Sequence, residues 1–225
     1  VQRRVEEPEL WQQKGAHAPG AAARVPLSQT FKGRGRITAA VTLMNACTLF
    51  GWWGLNTWIP AYLSLPASQG GIGLSTSAMS GLVFAMQVGM WFGYVTFGFM
   101  SDRIGRKRAY VGYLICASVL LPLYGFVHSP LVLLALGPFV AFFGTGYFSG
   151  FGALTAEIYP TTIRATAQGF TYNMGRIASA AAPFVVGSLA GSHGFAAAFG
   201  VAGAAFLCAA AAWTLIPEST GAELQ

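Results

Sequence analysis

The sequence predicts an all-α membrane protein with six transmembrane helices, and three observations predict it. The chain of 225 residues is 54% hydrophobic and only 9% charged, too apolar for a soluble domain of this length. No charged side chain occurs between Ile37 and Ser101, and none between Ala109 and Ala156, so the stretches that must form helices are those that lipid tolerates. Between these two stretches the charges concentrate in one short hinge, Asp102 with Arg103, Arg106, Lys107 and Arg108. The net charge of +6 does not point to nucleic acid. Nearly all the cations either precede Ile37 or sit in the hinge, where lipid headgroups and topology account for them.

Taken in order, residues 1–36 are polar, with Gly, Ala and Pro around Gly15 to Pro26, and read as a cytoplasmic linker. Six apolar segments follow at approximately 37–59, 77–101, 109–127, 131–154, 165–190 and 195–216, each near the ~20 residues that span a hydrocarbon core. Residues 217–225 form a tail. The linker, the Asp102 hinge, Arg164 and the tail share one side, whereas Ser64 to Thr76, His128 to Pro130 and Gly191 to Gly194 carry no formal charge. The expectation is a multi-pass protein of the inner (plasma) membrane with both termini cytoplasmic. Small residues four apart, Gly146 with Gly150, Gly187 with Gly191 and Gly200 with Ala204, suit close helix packing in lipid. Pro122, Pro138 and Pro183 are expected to kink their helices.

Several chemistries are excluded. Cys47, Cys116 and Cys208 lie in apolar segments with no pairing or metal-ligand spacing, so neither a disulfide nor a metal site is expected. Gly144-Thr145-Gly146 has no strand before it and is not a dinucleotide loop, so no cofactor is expected. His17, His128 and His193 fall in loops, and no Ser/His/Asp, Cys/His or paired-acid set exists to make an enzyme.

The hinge carries most of the information. Gly98 would let a helix end approach a neighbour, Gly105 would permit a turn that a side chain obstructs, and the four cations would hold the loop at the cytoplasmic face. A topology anchor explains the cations but not Asp102 or the two glycines. The spacing Gly-x-x-x-Asp-Arg-x-Gly-Arg-Lys-Arg resembles the loop signature of the major facilitator superfamily of secondary transporters. The resemblance continues through the acidic Pro-Glu element at Val5 to Trp11, the run Glu157 to Gly169, and Tyr172-Asn173-Met174-Gly175-Arg176. That last run is similar to the proton-coupled sialate, aromatic-acid and sugar branch. The resemblance implies the carboxyl-terminal half of a twelve-helix fold, two three-helix repeats of inverted orientation, with an amino-terminal six-helix half as partner. It also implies a small organic solute moved by alternating access with proton coupling. Asp102, Arg103, Arg106, Glu157 and Arg164 would form a charge network that closes the inward side. Pro217-Glu218-Ser219 resembles the end of the sugar-porter last helix, without the lysine and glycine that usually follow, so a sugar and proton symporter half is the alternative. A non-transporting scaffold or receptor-like half-protein is the alternative from another class.

Arg176 is the one charge inside an expected span. Counted from Ala165 at ~1.5 Å per residue it lies ~16 Å deep, where an unpartnered arginine costs at least ~2.5 kcal/mol. Its partner is an anionic substrate, an acid in the other half, or helix carbonyls and water. Asn173 and Tyr172, three and four residues earlier, complete a donor cluster, and an organic acid is favoured over a sugar. Asn45, Trp52 and Asn56 form one polar and aromatic stripe, and Gln87, Trp91 and Tyr94 another. Trp52, Asn56 and Gln87 are the candidates for lining a cavity, though a lone amide also serves as interhelical glue and aromatic residues as interface anchors. No buried acid or histidine is present to carry a proton, which places any such group in the other half.

Overall fold

The structure, a computed structural model, describes residues 26–216. The Pro-Glu element, the linker before Pro26 and the tail with Pro217-Glu218-Ser219 lie outside the described residues. A 3-10 turn at Leu27–Thr30 leads into α1 (Gly35–Ser64), followed by a second 3-10 turn at Ala67–Gln69. Then come α2 (Thr76–Ile104), α3 (Arg106–Phe126), α4 (Pro130–Thr145), a 3-10 stretch at Gly146–Gly150, α5 (Phe151–Ile158), α6 (Thr161–Ser179), α7 (Ala182–Ala212) and a closing 3-10 turn at Trp213–Leu215. No strand occurs among the described residues. Helices answer the demand of a hydrocarbon solvent, because each satisfies its own backbone.

Among the described residues, four helical runs are long and apolar enough to cross a membrane: Thr76–Ile104, Arg106–Phe126, Pro130–Ile158 and Thr161–Leu215. The last spans 55 residues but is not one rod, since Gly194 has φ 82° and ψ 166° inside α7. Helix α1 has 30 residues, long enough as well, yet Thr38, Thr42, Asn45, Thr48 and Asn56 interrupt its apolar sequence.

Three boundaries differ from the sequence pattern. The segment expected at 131–154 is α4 and α5 joined by the 3-10 stretch, where Gly150 is pressed against the Phe97 ring and Gly146 lies against the Gly93 carbonyl. The segment expected at 165–190 begins at Thr161 and breaks after Ser179. Pro183 falls in the first turn of α7, where its missing N–H costs nothing, so it starts a helix rather than kinking one. Its carbonyl accepts from Trp58 Nε1 at 2.8 Å. Pro122 and Pro138 do lie inside α3 and α4.

Helix α1 packs on α6 and α7, α3 on α7, and α2 on α4. The closest approaches are made by glycines. On α2, a Cβ at Gly89 would overlap the Pro138 carbonyl, and one at Gly93 would sit 2.5 Å from the Phe142 carbonyl oxygen. A Cβ at Gly203 on α7 would sit 2.7 Å from the Ser118 carbonyl oxygen, the group that Pro122 leaves without its helical N–H. Gly187 is covered by the Trp58 ring, whereas nothing lies within 4 Å of a Cβ at Gly191 or Gly200. The four-residue spacing therefore marks contact at some pairs and not at others, and Gly89 with Gly93 carried the same signal. At the end away from the charged hinge, Tyr62 donates to the Val127 carbonyl at 2.5 Å, just beyond α3, within a cluster of Tyr124, Phe195 and Phe199 rings.

Gly89→Ala is expected to destabilise the protein by about 1–3 kcal/mol, the usual effect of overpacking a close contact. Gly81→Ala, at a site with no atom within 4 Å, should be neutral or slightly stabilising, since alanine is the better helix former. Thermal unfolding in detergent separates the two, and equal melting temperatures would remove the α2–α4 contact as a determinant of stability.

Candidate functional site

The charged hinge is a single residue. Helix α2 ends at Ile104, α3 begins at Arg106, and Gly105 between them holds φ 97° and ψ 146°, a conformation open chiefly to glycine. The first turn of α3 carries Arg106 and Lys107 with no acid, which sets cations on the positive end of a helix dipole. Acids from elsewhere offset this. Arg106 reaches Asp102 at 2.7 Å and Glu157 on α5 through Nε and Nη2, each at 3.2 Å. It also donates to Ser101 Oγ at 2.7 Å, and Ser101 in turn donates to the Gly98 carbonyl at 2.9 Å. The two ion pairs are unequal, for Asp102 is 65% exposed and Glu157 only 13%. Solvent screens the first far more than the second.

The structure thus gathers Asp102, Arg106 and Glu157, and adds Ser101, which no sequence pattern marked. Lys107 donates to the Ile216 carbonyl at 3.3 Å, tying the end of the last helix to the hinge, and Arg164 donates to the Tyr159 carbonyl at 3.2 Å. Arg103 is exposed and takes no part in these contacts. Gly98 has no neighbouring atom within 4 Å of its would-be Cβ, so the close approach expected there is not made among the described residues. The chain entering α1 is fastened beside this cluster. Arg34 donates to the Ile158 carbonyl at 3.1 Å, Tyr159 to Thr38 Oγ1 at 3.2 Å, and Phe31 meets Phe170 edge to face at 5.2 Å.

Between α1 and α2, Trp52, Asn56, Met86 and Gln87 line a cavity of about 240 Å³ together with Pro60. Trp52, Tyr94, Phe151 and Tyr172 line a second, of about 300 Å³. All three lining candidates therefore meet in one cavity, and Tyr172 joins Trp52 in the other. Asn45 does not line either. It is 2% exposed and packs against α6, its Cβ 2.8 Å from a Cβ at Gly175. Trp91 is 59% exposed and faces outward.

Helix α6 has two unlike faces. Ile163, Ala167, Thr171, Gly175 and Ser179 form a buried stripe against α1, while Asn173 and Arg176 are exposed and Tyr172 is half-buried. Asn173 Nδ2 donates to the Gly169 carbonyl at 2.7 Å. Arg176 lies about 22 Å along α6 from Thr161 at ~1.5 Å per residue. Among the described residues the acids are Asp102 and Glu157, and Arg106 holds both at the other end of the bundle. No group of three or more metal-ligating side chains occurs among the described residues.

Comparison with known proteins gives these features a family. The sequence pattern of the Major Facilitator Superfamily matches residues 41–224. A Haemophilus influenzae protein named for metabolite transport is 31% identical over 227 residues, which is 97% of this chain and 54% of the relative. A cis,cis-muconate transport protein of Acinetobacter baylyi is 33% identical over 214 residues, covering 91% of this chain and 50% of the relative. The chain spans about half the length of the curated relatives it matches. Among solved structures, the peptide transporter POT in complex with sulfate superposes with a TM-score of 0.68 over 84% of this chain and 40% of that one. The identity there is 17%, so the likeness is one of fold.

The unequal shielding of the two ion pairs gives a test. Glu157→Gln should loosen the ends of α2, α3 and α5, whereas Asp102→Asn should do so much less, because its partner keeps Glu157 and its charge was already solvated. Hydrogen exchange of the backbone amides at residues 98–110 and 155–164 reads the difference. Equal acceleration in both variants would mean that Arg106 is not held mainly from α5.

Proposed function

Because this chain belongs to the major facilitator superfamily, whose members are membrane transporters and not enzymes, we propose that it is the carboxyl-terminal half of a secondary transporter. It moves a small organic acid across the inner membrane by alternating access, with proton coupling. The single observation that carries the acid is Arg176. It stands exposed on a helix whose opposite face is buried, and the acids among the described residues, Asp102 and Glu157, are both paired with Arg106. At mid-span an arginine needs a wet cavity or a negative partner, and its planar fork matches a carboxylate bidentately where lysine offers a point charge. The muconate transport relative, named for an organic acid anion, supports the same class of solute.

Six spans follow if α1 is the first and Thr161–Leu215 crosses twice, turning at Gly194. The halves of the chain are then two units of three crossings each, α1 to α3 and α4 to α7, as expected of inverted repeats. The end bearing Arg106, Lys107 and Arg108 is cytoplasmic by the rule that loop cations stay inside, and the Arg106 cluster closes that end. The exposed face of α6 meets the amino-terminal half, which also supplies the proton-carrying group. A single cysteine at Ser68 and one at Arg108 of a cysteine-free protein should label from opposite sides of the membrane. Labelling of both from one side would refute the six-span arrangement.

In the full-length protein, Arg176→Ala should abolish thermal stabilisation by acids such as muconate, and Arg176→Lys should weaken it by about tenfold in apparent affinity, or ~1.4 kcal/mol. Neutral sugars should stabilise neither wild type nor variants. Stabilisation by an acid that persists in Arg176→Ala would remove Arg176 from the solute site. Loss of folding in that variant, repaired by neutralising an acid in the other half, would assign it to a salt bridge instead.

A further inference from the structure

We propose that Trp52, seated on Gly144, is a specificity-determining septum that divides the solute cavity in two along the transport axis. The proposal rests on the reading of the chain as a transporter half. Trp52 is 8% exposed, yet it alone lines both cavities. The two cavities are stacked, not side by side. On α1, Leu49 lines one and Asn56 the other. On α2, Tyr94 lines the first and Gln87 the second. Seven residues separate the members of each pair, ~10 Å at 1.5 Å per residue. Two helices that run in opposite directions thus give the same axial offset, and the indole lies at the level between.

Gly144 explains how the indole is held there. A Cβ on Gly144 would stand 3.2 Å from Trp52 Cε3 and 3.3 Å from Cζ3, closer than carbon atoms pack without adjustment. The benzenoid edge of Trp52 therefore rests on the bare backbone of α4, and a side chain at 144 requires the indole, which borders both cavities, to shift by a few tenths of an ångström.

The two sides of the septum offer different chemistry. On one side Asn56 and Gln87 present amides, each both donor and acceptor. Pro60 lacks the N–H that would bond the Asn56 carbonyl, which adds a backbone acceptor. This side suits a neutral hydrogen-bonding group. On the other side Tyr94, Phe151 and Tyr172 supply an aromatic wall, with the Phe151 and Tyr172 rings packed on each other at 5.8 Å and 41°, which suits an apolar body. Arg176 is one turn beyond Tyr172. A solute short enough to fit one side meets the indole as an end wall, and a longer one must thread past its edge.

The test uses the full-length protein in three forms, wild type, Trp52→Ala and Gly144→Ala, with Trp52→Phe as a fourth should Trp52→Ala fail to fold. Apparent affinities are measured by thermal stabilisation across a graded series of straight-chain carboxylates. Removing the indole should shift the preference toward longer acids by about tenfold or more, the scale on which a pocket senses added methylenes. Gly144→Ala should shift it without touching any group that hydrogen-bonds a solute. An unchanged rank order in Trp52→Ala and Gly144→Ala overturns the proposal. A second readout needs no solute. With Cys47, Cys116 and Cys208 replaced by serine, a bulky maleimide added from the charged-hinge side should modify Gly152→Cys about tenfold or more faster than Asn56→Cys, and Trp52→Ala should collapse that ratio. If no acid stabilises wild type, the organic-acid reading fails while the alkylation ratio still decides the septum. A ratio indifferent to Trp52 overturns it.

Discussion

Everything in this fold follows from the close approach of helix backbones in a solvent that does nothing to push them together. Lipid tails are as apolar as leucine, so helices associate through van der Waals fit and a few interhelical contacts. The fit here is made where one helix lacks a side chain. Gly93 lies on the Phe142 carbonyl, Gly146 on the Gly93 carbonyl and Gly203 on the Ser118 carbonyl. At Gly203 the carbonyl is one that a proline has released from its helical partner. The small residue and the broken hydrogen bond meet, which lets the backbone of α7 come close to the freed carbonyl. Bundles of this kind have little slack, and a methyl group at such a point must displace main chain.

That economy governs where polarity is allowed. Most hydroxyls inside the bundle bond back to their own helix: Thr48 to the Met44 carbonyl, Thr145 to Ala141, Thr155 to Phe151 and Ser179 to Arg176. They impose nothing on neighbouring helices. Other groups reach across, some partway along the bundle, where Thr96 meets Tyr113 at 3.2 Å and Ser149 donates to the Tyr94 carbonyl at 3.1 Å, and others at the ends. Tyr62 joins α1 to the end of α3 at one end, and Arg106, Lys107, Arg34 and Tyr159 join five segments at the other.

The sequence shows the broad plan because charge is so costly in lipid. The absence of charge on either side of Asp102 separated the helices, and Gly105 was legible because no other residue turns so tightly between two helices. Spacing along two helices also pointed to Trp52, Asn56 and Gln87, which line one cavity between them. Spacing could not say which helix each would meet. Asn45 fell in the same stripe as Trp52 but is buried against Gly175, because α6 crosses α1 at that level. Arg106 and Arg103 look alike in the hinge, and only the turn at Gly105 decides that one faces Glu157 and the other faces water. Pro183 signalled an interruption of this segment, but not that the helix would stop at Ser179 and restart at Ala182, because Ala180 and Ala181 have no bias against helix. The seat at Gly144 was hidden because a glycine states that space is needed, not what fills it.

Helix α6 shows what half a cavity requires of its sequence. Its buried stripe is small or β-branched, Ile163, Ala167, Thr171, Gly175 and Ser179, which brings it close to α1 and fixes its rotation. Once that rotation is fixed, Tyr172, Asn173 and Arg176 have no freedom to turn inward. Tyr172 reaches the aromatic cavity beside Trp52, and Arg176 stands one turn further on the exposed side. A guanidinium so placed cannot face hydrocarbon without a cost of about 2.5 kcal/mol or more. The surface that carries it therefore has to be closed by something wet or charged. In the arrangement proposed above, the second half of the transporter and the solute itself close it, and the packing of α6 on α1 is what holds Arg176 in place to meet them.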